Sequence, residues 1–218
     1  MKNSRTFVMA LVVSSTLASG AYAAEKSAGS QNFRFALPDD YAVVQHQVNP
    51  ALQGGSVIFA PAPAPAPAAE ASSKERILRL QTYPSEYYPE SLQALGTSKP
   101  REFLNTVIET QLQSKCTSST VDSGKIREQN GETRINWWTS CELANQPGQF
   151  EFERGRMFLS ATGAYFISHI NESANKNHQF ARNEIKWFDK YLYNSGFCIS
   201  GNDCGEEGAL IPQLFTEK

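Results

Sequence analysis

The sequence lacks the short motifs that mark the best-known catalytic and cofactor sites. It has no G-x-G-x-x-G segment, no Walker A loop and no C-x-x-C pair, and only 3 of its 218 residues are histidine. Dinucleotide, nucleotide and zinc-knuckle sites depend on such arrangements to hold phosphate groups or metal ions. The sequence therefore predicts no catalytic residue, no metal site and no cofactor, and it favours a protein that is not an enzyme.

A strong excess of charge of one sign is also missing. The chain has 20 basic and 22 acidic residues, which gives a formal net charge of −2. Proteins that bind nucleic acid or anionic membranes usually carry a marked basic excess. We therefore expect neither nucleic acid nor a membrane surface as a partner.

The apolar run near the N-terminus is too short to span a membrane. Residues 7–17 are apolar, follow Lys2 and Arg5, and precede an A-x-A motif at residues 21–23. This order is typical of a secretory signal peptide, and the run is about half as long as a membrane-spanning helix. We predict that residues 1–23 are removed, so that a periplasmic or secreted chain begins at Ala24 without a membrane span. That chain keeps 18 basic and 22 acidic residues, for a formal charge of −4.

Cysteine is scarce, and none of the four lies before Cys116. A lipid anchor near the cleavage site is therefore not expected. In an exported chain, four cysteines predict two disulfides. Cys198 and Cys204 are separated by a short, turn-like segment, which favours their pairing and leaves Cys116 for Cys141. A four-cysteine zinc site is the alternative, and the lack of a C-x-x-C pair argues against it.

The composition predicts one folded domain with flexible segments around it. Residues 24–31 are small and polar, and we expect them to be disordered. Residues 61–73 are rich in proline and alanine and favour an extended loop, although a docking segment for a partner is an alternative. Too few residues precede this loop to fold as a domain of their own. We predict a single domain over 32–195 and a disulfide-looped tail over 196–218.

Hydrophobic periodicity predicts an α+β fold in which an antiparallel sheet with a C-terminal meander packs against two main helices. Residues 134–141 are expected to form the central strand, and a phase shift at Gly155 predicts a β-bulge. Helices are predicted at about 100–114 and 175–194. Strands are predicted at residues 32–37, 41–48, 56–60, 75–83, 121–129, 132–143, 149–159 and 164–170.

Adjacent tryptophans in the predicted central strand point to opposite faces of the sheet. Trp137 shares a face with Cys141, whose disulfide ties down the first helix, so we expect that face to be buried. Trp138 lies among polar neighbours and is a candidate binding platform. An aromatic-rich loop follows the strand at 75–83. The candidate binding surface comprises Trp138, Tyr83, Tyr87 and Tyr88.

Two sequence patterns allow catalysis but have a simpler interpretation. Glu151 and Glu153 share one strand face, as a pair of catalytic carboxylates would, yet they alternate with phenylalanines as on a half-exposed strand. Ser173 and Lys176 match the S-x-x-K nucleophile pattern, yet a helix-capping serine followed by a solvated lysine explains them. We expect a solvated face and a helix start.

Two histidines lie near an acidic residue towards the C-terminus. His169 is placed on a predicted strand, His178 at the start of the second helix, and Glu172 between them. The three could converge on a metal ion, but their spacing matches no metal motif. Ordinary surface or capping roles are the simpler expectation.

The order of elements, together with Phe-x-Phe-x-Leu-Pro at residues 33–38, resembles the Mog1/PsbP-type fold, including bacterial envelope proteins of the DcrB kind. The two cysteine pairs and the Pro/Ala-rich loop are not features of that family. The resemblance implies a non-catalytic accessory, adaptor or binding role. With the signal peptide, it suggests an exported binding or accessory protein of the bacterial envelope, whose partner is a protein or a small ligand. A small secreted hydrolase is the alternative, and the oligomeric state is left open.

Overall fold

The computed structural model describes residues 32–49, 54–62, 76–129, 131–198 and 209–210. The predicted signal peptide, the disordered segment at 24–31 and most of the Pro/Ala-rich loop lie outside these residues. The Cys198–Cys204 pairing also lies outside them, because Cys204 and the side chain of Cys198 are not described.

Within the described residues, seven antiparallel strands form the main sheet. A short strand, β1 (Asn32–Phe35), precedes them in the chain and is not part of this sheet. The seven strands are β2 (Tyr41–Asn49), β3 (Gly54–Pro61), β4 (Ile77–Pro84), β5 (Cys116–Gln129), β6 (Glu132–Leu143), β7 (Phe150–Ser160) and β8 (Gly163–Ser173). Their order across the sheet is β2-β3-β4-β8-β7-β6-β5. The predicted meander is confirmed, because β6, β7 and β8 are neighbours in sequence and in the sheet.

Few helices accompany the sheet. A 3-10 turn (Ser85–Tyr87) and the short helix α1 (Glu90–Gln93) follow β4, and α2 (Pro100–Gln113) and α3 (Arg182–Tyr193) are the two longer helices. β1 belongs to a separate three-stranded sheet with β9 (Gly196–Cys198) and β10 (Ala209–Leu210). The described part of the chain is thus mostly an antiparallel sheet with few helices, in agreement with the α+β prediction.

The prediction that residues 134–141 form the central strand is wrong. β6 is second from one edge, between β5 and β7, and the middle position belongs to β8. The reason is a long-range contact: β4 pairs with the free side of β8, from Ile77 opposite Ile170 to Pro84 opposite Gly163. Local sequence patterns indicate strands, but they do not show which distant strands pair.

Two hydrophobic cores cover opposite faces of this sheet. On one face, α2 and the segment around α1 pack over apolar residues of β4, β6, β7 and β8. On the other face, β1 and α3 pack over β3, β4, β7 and β8. Both cores draw on β4, β7 and β8, so these strands bury side chains on both faces.

This double coverage explains why the predicted bulge at Gly155 is absent. β7 pairs with β6 and β8 in unbroken register through Gly155. Phe158 belongs to the core under α3, whereas Met157 and Leu159 belong to the core under α2. The shift in apolar phase therefore records burial on both faces of a regular strand.

The second helix begins at Arg182, later than the predicted 175. β8 continues to Ser173, and side chains then organise turns: the Asn175 N–H donates to Ser173 Oγ at 3.1 Å, and the Asn177 N–H donates to Asn175 Oδ1 at 3.0 Å. Such side-chain bonds compete with helix formation. The first helix agrees with its predicted bounds, and the predicted disulfide is confirmed between Cys116 and Cys141, which lie at the start of β5 and on β6.

Candidate functional site

The paired tryptophans of β6 have opposite environments. Trp137 is fully buried under α2, and Trp138 is 46% exposed on the other face, as strand alternation predicts. Trp137 fits because Gly155 lies opposite it: a Cβ there would stand 2.6 Å from Trp137 Cζ2 and 2.6 Å from the Ile167 carbonyl oxygen. β6 therefore holds a buried and an exposed indole back to back.

Trp138 is exposed because the second core stops short of this edge. That core draws its strand residues from β1, β3, β4, β7 and β8, so its cover leaves Trp138 and the facing part of β5 open, whereas β9 covers the Glu132 end of β6 through the hydrogen bond from the Phe197 N–H to Glu132. Polar residues flank Trp138 in register, with Asp122 on β5 and Arg154 on β7. Arg154 donates from Nη2 to both carboxylate oxygens of Asp189 on α3, at 3.0 and 3.4 Å. The site is an aromatic platform between two strands, bordered on one side by a helix.

Two of the three tyrosines in the predicted binding surface are buried, so they contribute to a core instead. Tyr83 is 1% exposed; its ring lies where a side chain at Gly54 would be, and its hydroxyl accepts a hydrogen bond from Gln111 at 2.6 Å. Tyr88 is 7% exposed and packs against Phe103, and burial raises its pKa. These rings are buried because α1 and α2 fold back over the end of β4. Of the three, Tyr87 alone is accessible, at 51% exposure, but it follows β4, which is three positions from β6 in the sheet, so Tyr87 does not form one surface with Trp138.

The expectation of a solvated face for Glu151 and Glu153 is wrong, because this face lies on the α2 side of the sheet. Glu153 is 1% exposed and accepts hydrogen bonds from Arg79, at 3.0 Å for the Nε contact, and from Ser168. Glu151 forms an ion pair with Lys115. Burial lowers the pKa of Arg79, but the negative charges of Glu153 and Glu151 and the hydrogen bonds to Glu153 together outweigh burial, so the pKa is raised. Each carboxylate is bound to its own cation, and this removes the carboxylate pair as support for a hydrolase.

The S-x-x-K match does not start a helix. Ser173 is the last residue of β8, and Lys176 is exposed in the turn that follows. A lysine one helical turn from a serine could assist its deprotonation, but this strand-to-turn geometry lacks that relation.

The expectation of a surface or capping role for His169 is wrong, because it is a core residue of β8. It is 2% exposed, and the rings of Phe180, Trp187 and Phe188 lie 5.1, 5.6 and 5.8 Å from it between centroids. Burial among them lowers the pKa of His169 to about 4, so the imidazole is neutral at pH 7. His178 lies in the loop before α3 and contacts Phe152 and Phe180.

The alternative in which these histidines converge on a metal ion has no counterpart in the part of the chain that the structure describes. No group of three or more histidine, cysteine, aspartate or glutamate residues is arranged there to hold a metal ion. Glu172, the third candidate ligand, is exposed on the face of β8 opposite to His169. Among the described helices, none is both long and apolar enough to cross a membrane.

Comparison with known proteins assigns the chain to no family. No family model and no curated protein matches it. A similar solved structure is that of LpqN, involved in cell envelope biogenesis of Mycobacterium tuberculosis, with a TM-score of 0.35 and 10% identity. That match covers 80% of this chain and 88% of LpqN. The resemblance to the Mog1/PsbP-type fold stays a prediction.

Proposed function

We propose that this protein is an exported, non-enzymatic binding or accessory protein of the bacterial envelope, and that it binds its ligand on the face of β6 around Trp138. The observation that carries the proposal is the 46% exposure of Trp138 on a strand paired on both sides. A large aromatic side chain on a rigid strand offers contact area with little loss of conformational freedom on binding. Asp122 and Arg154 beside it add a hydrogen-bond acceptor and donors.

Export is supported by the N-terminal signal pattern and by the Cys116–Cys141 disulfide. Disulfides persist in oxidising compartments and are rare in the cytosol. The expected mass of protein recovered from the periplasm or medium is that of a chain beginning at Ala24 with two disulfides. Recovery of a chain that retains residues 1–23 would contradict export by signal cleavage.

Site-specific photocrosslinking tests the binding face. A photoreactive amino acid is placed at position 138 in one variant and at position 87 in another, since Trp138 and Tyr87 are similarly exposed. Irradiation of the producing cells is expected to give a discrete adduct from position 138 and none from position 87. Equal labelling from both positions, or none from position 138, would argue against this face as the binding site.

A further inference from the structure

Four arginines gather on the face of the sheet that carries Trp138. Arg127 of β5 is directly opposite Arg134 of β6, and on β7 Arg156 is opposite Asn136 and Arg154 is opposite Trp138. Residues paired in register share a face of the sheet, so these side chains form one band across three strands. The basic strip is defined as Arg127, Arg134, Asn136, Trp138, Arg154 and Arg156.

The arginines lie close enough together to affect one another. The Cζ atoms of Arg134 and Arg156 are 5.5 and 6.0 Å from the centre of the same ring, that of Phe158. The pKa of Arg156 is lowered, first by burial and next by the charge of Arg134, with smaller contributions from Arg127 and Arg154. Asp189 acts in the opposite direction. Like charges directly opposite each other destabilise a sheet, so the Arg127–Arg134 pairing is unfavourable for folding.

Acidic side chains neutralise only part of the strip. Glu132 pairs with Arg134, and Asp189 pairs with Arg154. Arg156 instead donates to neutral acceptors, Asn136 Oδ1 at 2.7 Å and the Leu192 carbonyl oxygen at 3.2 Å. No acidic side chain in the described chain forms an ion pair with Arg127. Asp122 lies at the Trp138 end, so the uncompensated positive charge is concentrated at Arg127 and Arg156.

A second exposed aromatic ring borders the strip. Tyr193, the last residue of α3, is 82% exposed. It follows Asp189 by four residues and therefore projects from the same side of the helix, the side that contacts Arg154. The carbonyl oxygen of the preceding residue, Leu192, accepts a hydrogen bond from Arg156, so Tyr193 lies at the end of α3 that meets the strip. From Trp138 to Arg134 the strip extends about 13 Å along β6, which suits a short oligomer better than a single small molecule.

We infer that the basic strip binds an acidic saccharide chain, with sugar rings against Trp138 and Tyr193 and anionic groups paired with Arg127 and Arg156. This inference rests on the proposed function and names its ligand class. Aromatic faces pack against the C–H faces of sugar rings, and guanidinium groups form charge-assisted hydrogen bonds with carboxylates. An acidic peptide fits less well. β6 and β7 are already paired on both sides, so a peptide added here as a strand could pair only with the edge strand β5, where it would lie beside the strip and not across the face that carries Trp138.

Binding of defined oligosaccharides tests the inference. Short oligogalacturonates serve as the acidic ligand, their methyl esters as the uncharged match, and oligoglutamate as the acidic peptide. Titration calorimetry is carried out with the mature chain. We expect the oligogalacturonate to bind and its methyl ester to bind at least about tenfold more weakly. Added salt is expected to weaken the binding of the oligogalacturonate.

Four variants locate the binding on the protein. Trp138→Ala and Arg127→Glu are each expected to weaken oligogalacturonate binding about tenfold, because they remove a stacking surface and reverse a charge. Two matched controls, Tyr87→Ala and Lys99→Glu, change an exposed ring and an exposed charge away from the strip and are expected to leave binding unchanged. Circular dichroism and urea unfolding confirm that each variant is folded.

The outcomes separate this inference from the proposed function. Equal binding of acid and ester, oligoglutamate binding as tight as the oligosaccharide, or equal losses in the control variants would each overturn the acidic-saccharide assignment. So would an absence of oligogalacturonate binding while position 138 still crosslinks a ligand in cells, and in that case the proposed function stands. Absence of both signals would overturn both.

Discussion

At the scale of single residues, two adjacent tryptophans divide structural and binding roles between the faces of one strand. Trp137 fills the space over Gly155 and is buried under α2, so its ring contributes to the stability of the fold. Trp138 is half exposed and is available to a ligand. The division follows from the two-residue period of a strand, which forces neighbours to opposite faces.

Alanine substitutions are expected to separate these roles. Trp137→Ala removes a fully buried ring and leaves a cavity, so we expect a loss of about 3–5 kcal/mol in the free energy of unfolding. Trp138→Ala removes a ring that is already 46% exposed, and the expected loss is about 1 kcal/mol or less. Urea unfolding followed by circular dichroism gives both values. Similar large losses in both variants would mean that Trp138 is part of a core.

Much of this residue-level arrangement can be predicted from the sequence. Strand alternation assigns Trp137 and Trp138 to their faces, and the cysteine pair identifies the buried one. The role of Gly155 cannot be predicted in this way, since it depends on the ring of Trp137 lying over it from the next strand. The basic strip cannot be predicted from the sequence for the same reason: Arg127 and Arg154 join Trp138 only through the register of three paired strands.

At the scale of elements, an ion pair links β4 and β7 across the central strand. Arg79 of β4 and Glu153 of β7 lie on either side of β8, whose Ser168 donates to Glu153. Both side chains are almost completely buried, at 10% and 2% exposure. Removal of one partner leaves an uncompensated charge in a low-dielectric environment, and such losses cost far more than the pair itself contributes.

Glu153→Gln tests this link. We expect the free energy of unfolding to fall by about 3–5 kcal/mol, because Arg79 is left buried without its counter-charge. The matched control is Glu102→Gln, which breaks the Lys99–Glu102 pair on the surface of α2, where the side chains are 56% and 61% exposed. That change is expected to cost less than about 1 kcal/mol. Equal effects on the urea midpoint would contradict a structural role for the buried pair.

The packing of α3 against the sheet is expected to depend on pH through His169. Its pKa is lowered to about 4 in the folded protein, whereas an unfolded histidine has a pKa of about 6.5. The unfolded chain therefore binds the proton first as the pH falls. The contribution of neutral His169 to the free energy of unfolding is therefore fully present above about pH 6.5. It is lost progressively as the pH falls towards about pH 4, and the total loss is about 3 kcal/mol.

Substitution of His169 isolates this effect. His169→Phe keeps an aromatic ring beside Phe180, Trp187 and Phe188 but removes the titrating group. The variant is expected to lose most of the decline in unfolding free energy between about pH 6.5 and about pH 5, a range in which most carboxylates stay ionised. Urea unfolding at half-unit pH steps measures the slope. An unchanged slope would assign the acid sensitivity to other groups.

Elements were predictable where their signals are local. The helix that begins at Pro100 agrees with its predicted bounds, and the strands predicted at 121–129 and 132–143 pair as a hairpin whose turn includes Gly131, at φ 76°. The start of α3 was not predictable, because serine and asparagine suit a helix cap and a turn equally well and only the extension of β8 decides between them. The same extension explains why His178 lies in a loop.

At the scale of the whole molecule, one sheet supports both cores. Leu78 and Leu80 of β4 face the core under α3, whereas Tyr83 of the same strand faces the core under α2. When a strand that buries side chains on both faces unfolds, packing is lost in both cores. The two cores are therefore expected to unfold together, as small domains usually do.

The Cys116–Cys141 disulfide tests this cooperativity because it touches only one core. It closes a loop with a sequence separation of 25 between the end of α2 and β6, and the chain-entropy model gives it about 3.5 kcal/mol. Fluorescence of two single-tryptophan backgrounds, in which phenylalanine replaces the other tryptophans, reports on the two cores: one background retains Trp137 under α2, and the other retains Trp187 beside the α3 core. In each background, a Cys116→Ala/Cys141→Ala variant is compared with its disulfide-bonded parent by urea unfolding.

We expect both tryptophans to report the same fall in the free energy of unfolding, because the shared strands transmit the loss from one face of the sheet to the other. A fall seen by Trp137 alone would show that the α2 face unfolds independently, and the two cores would then be separate cooperative units built on one sheet.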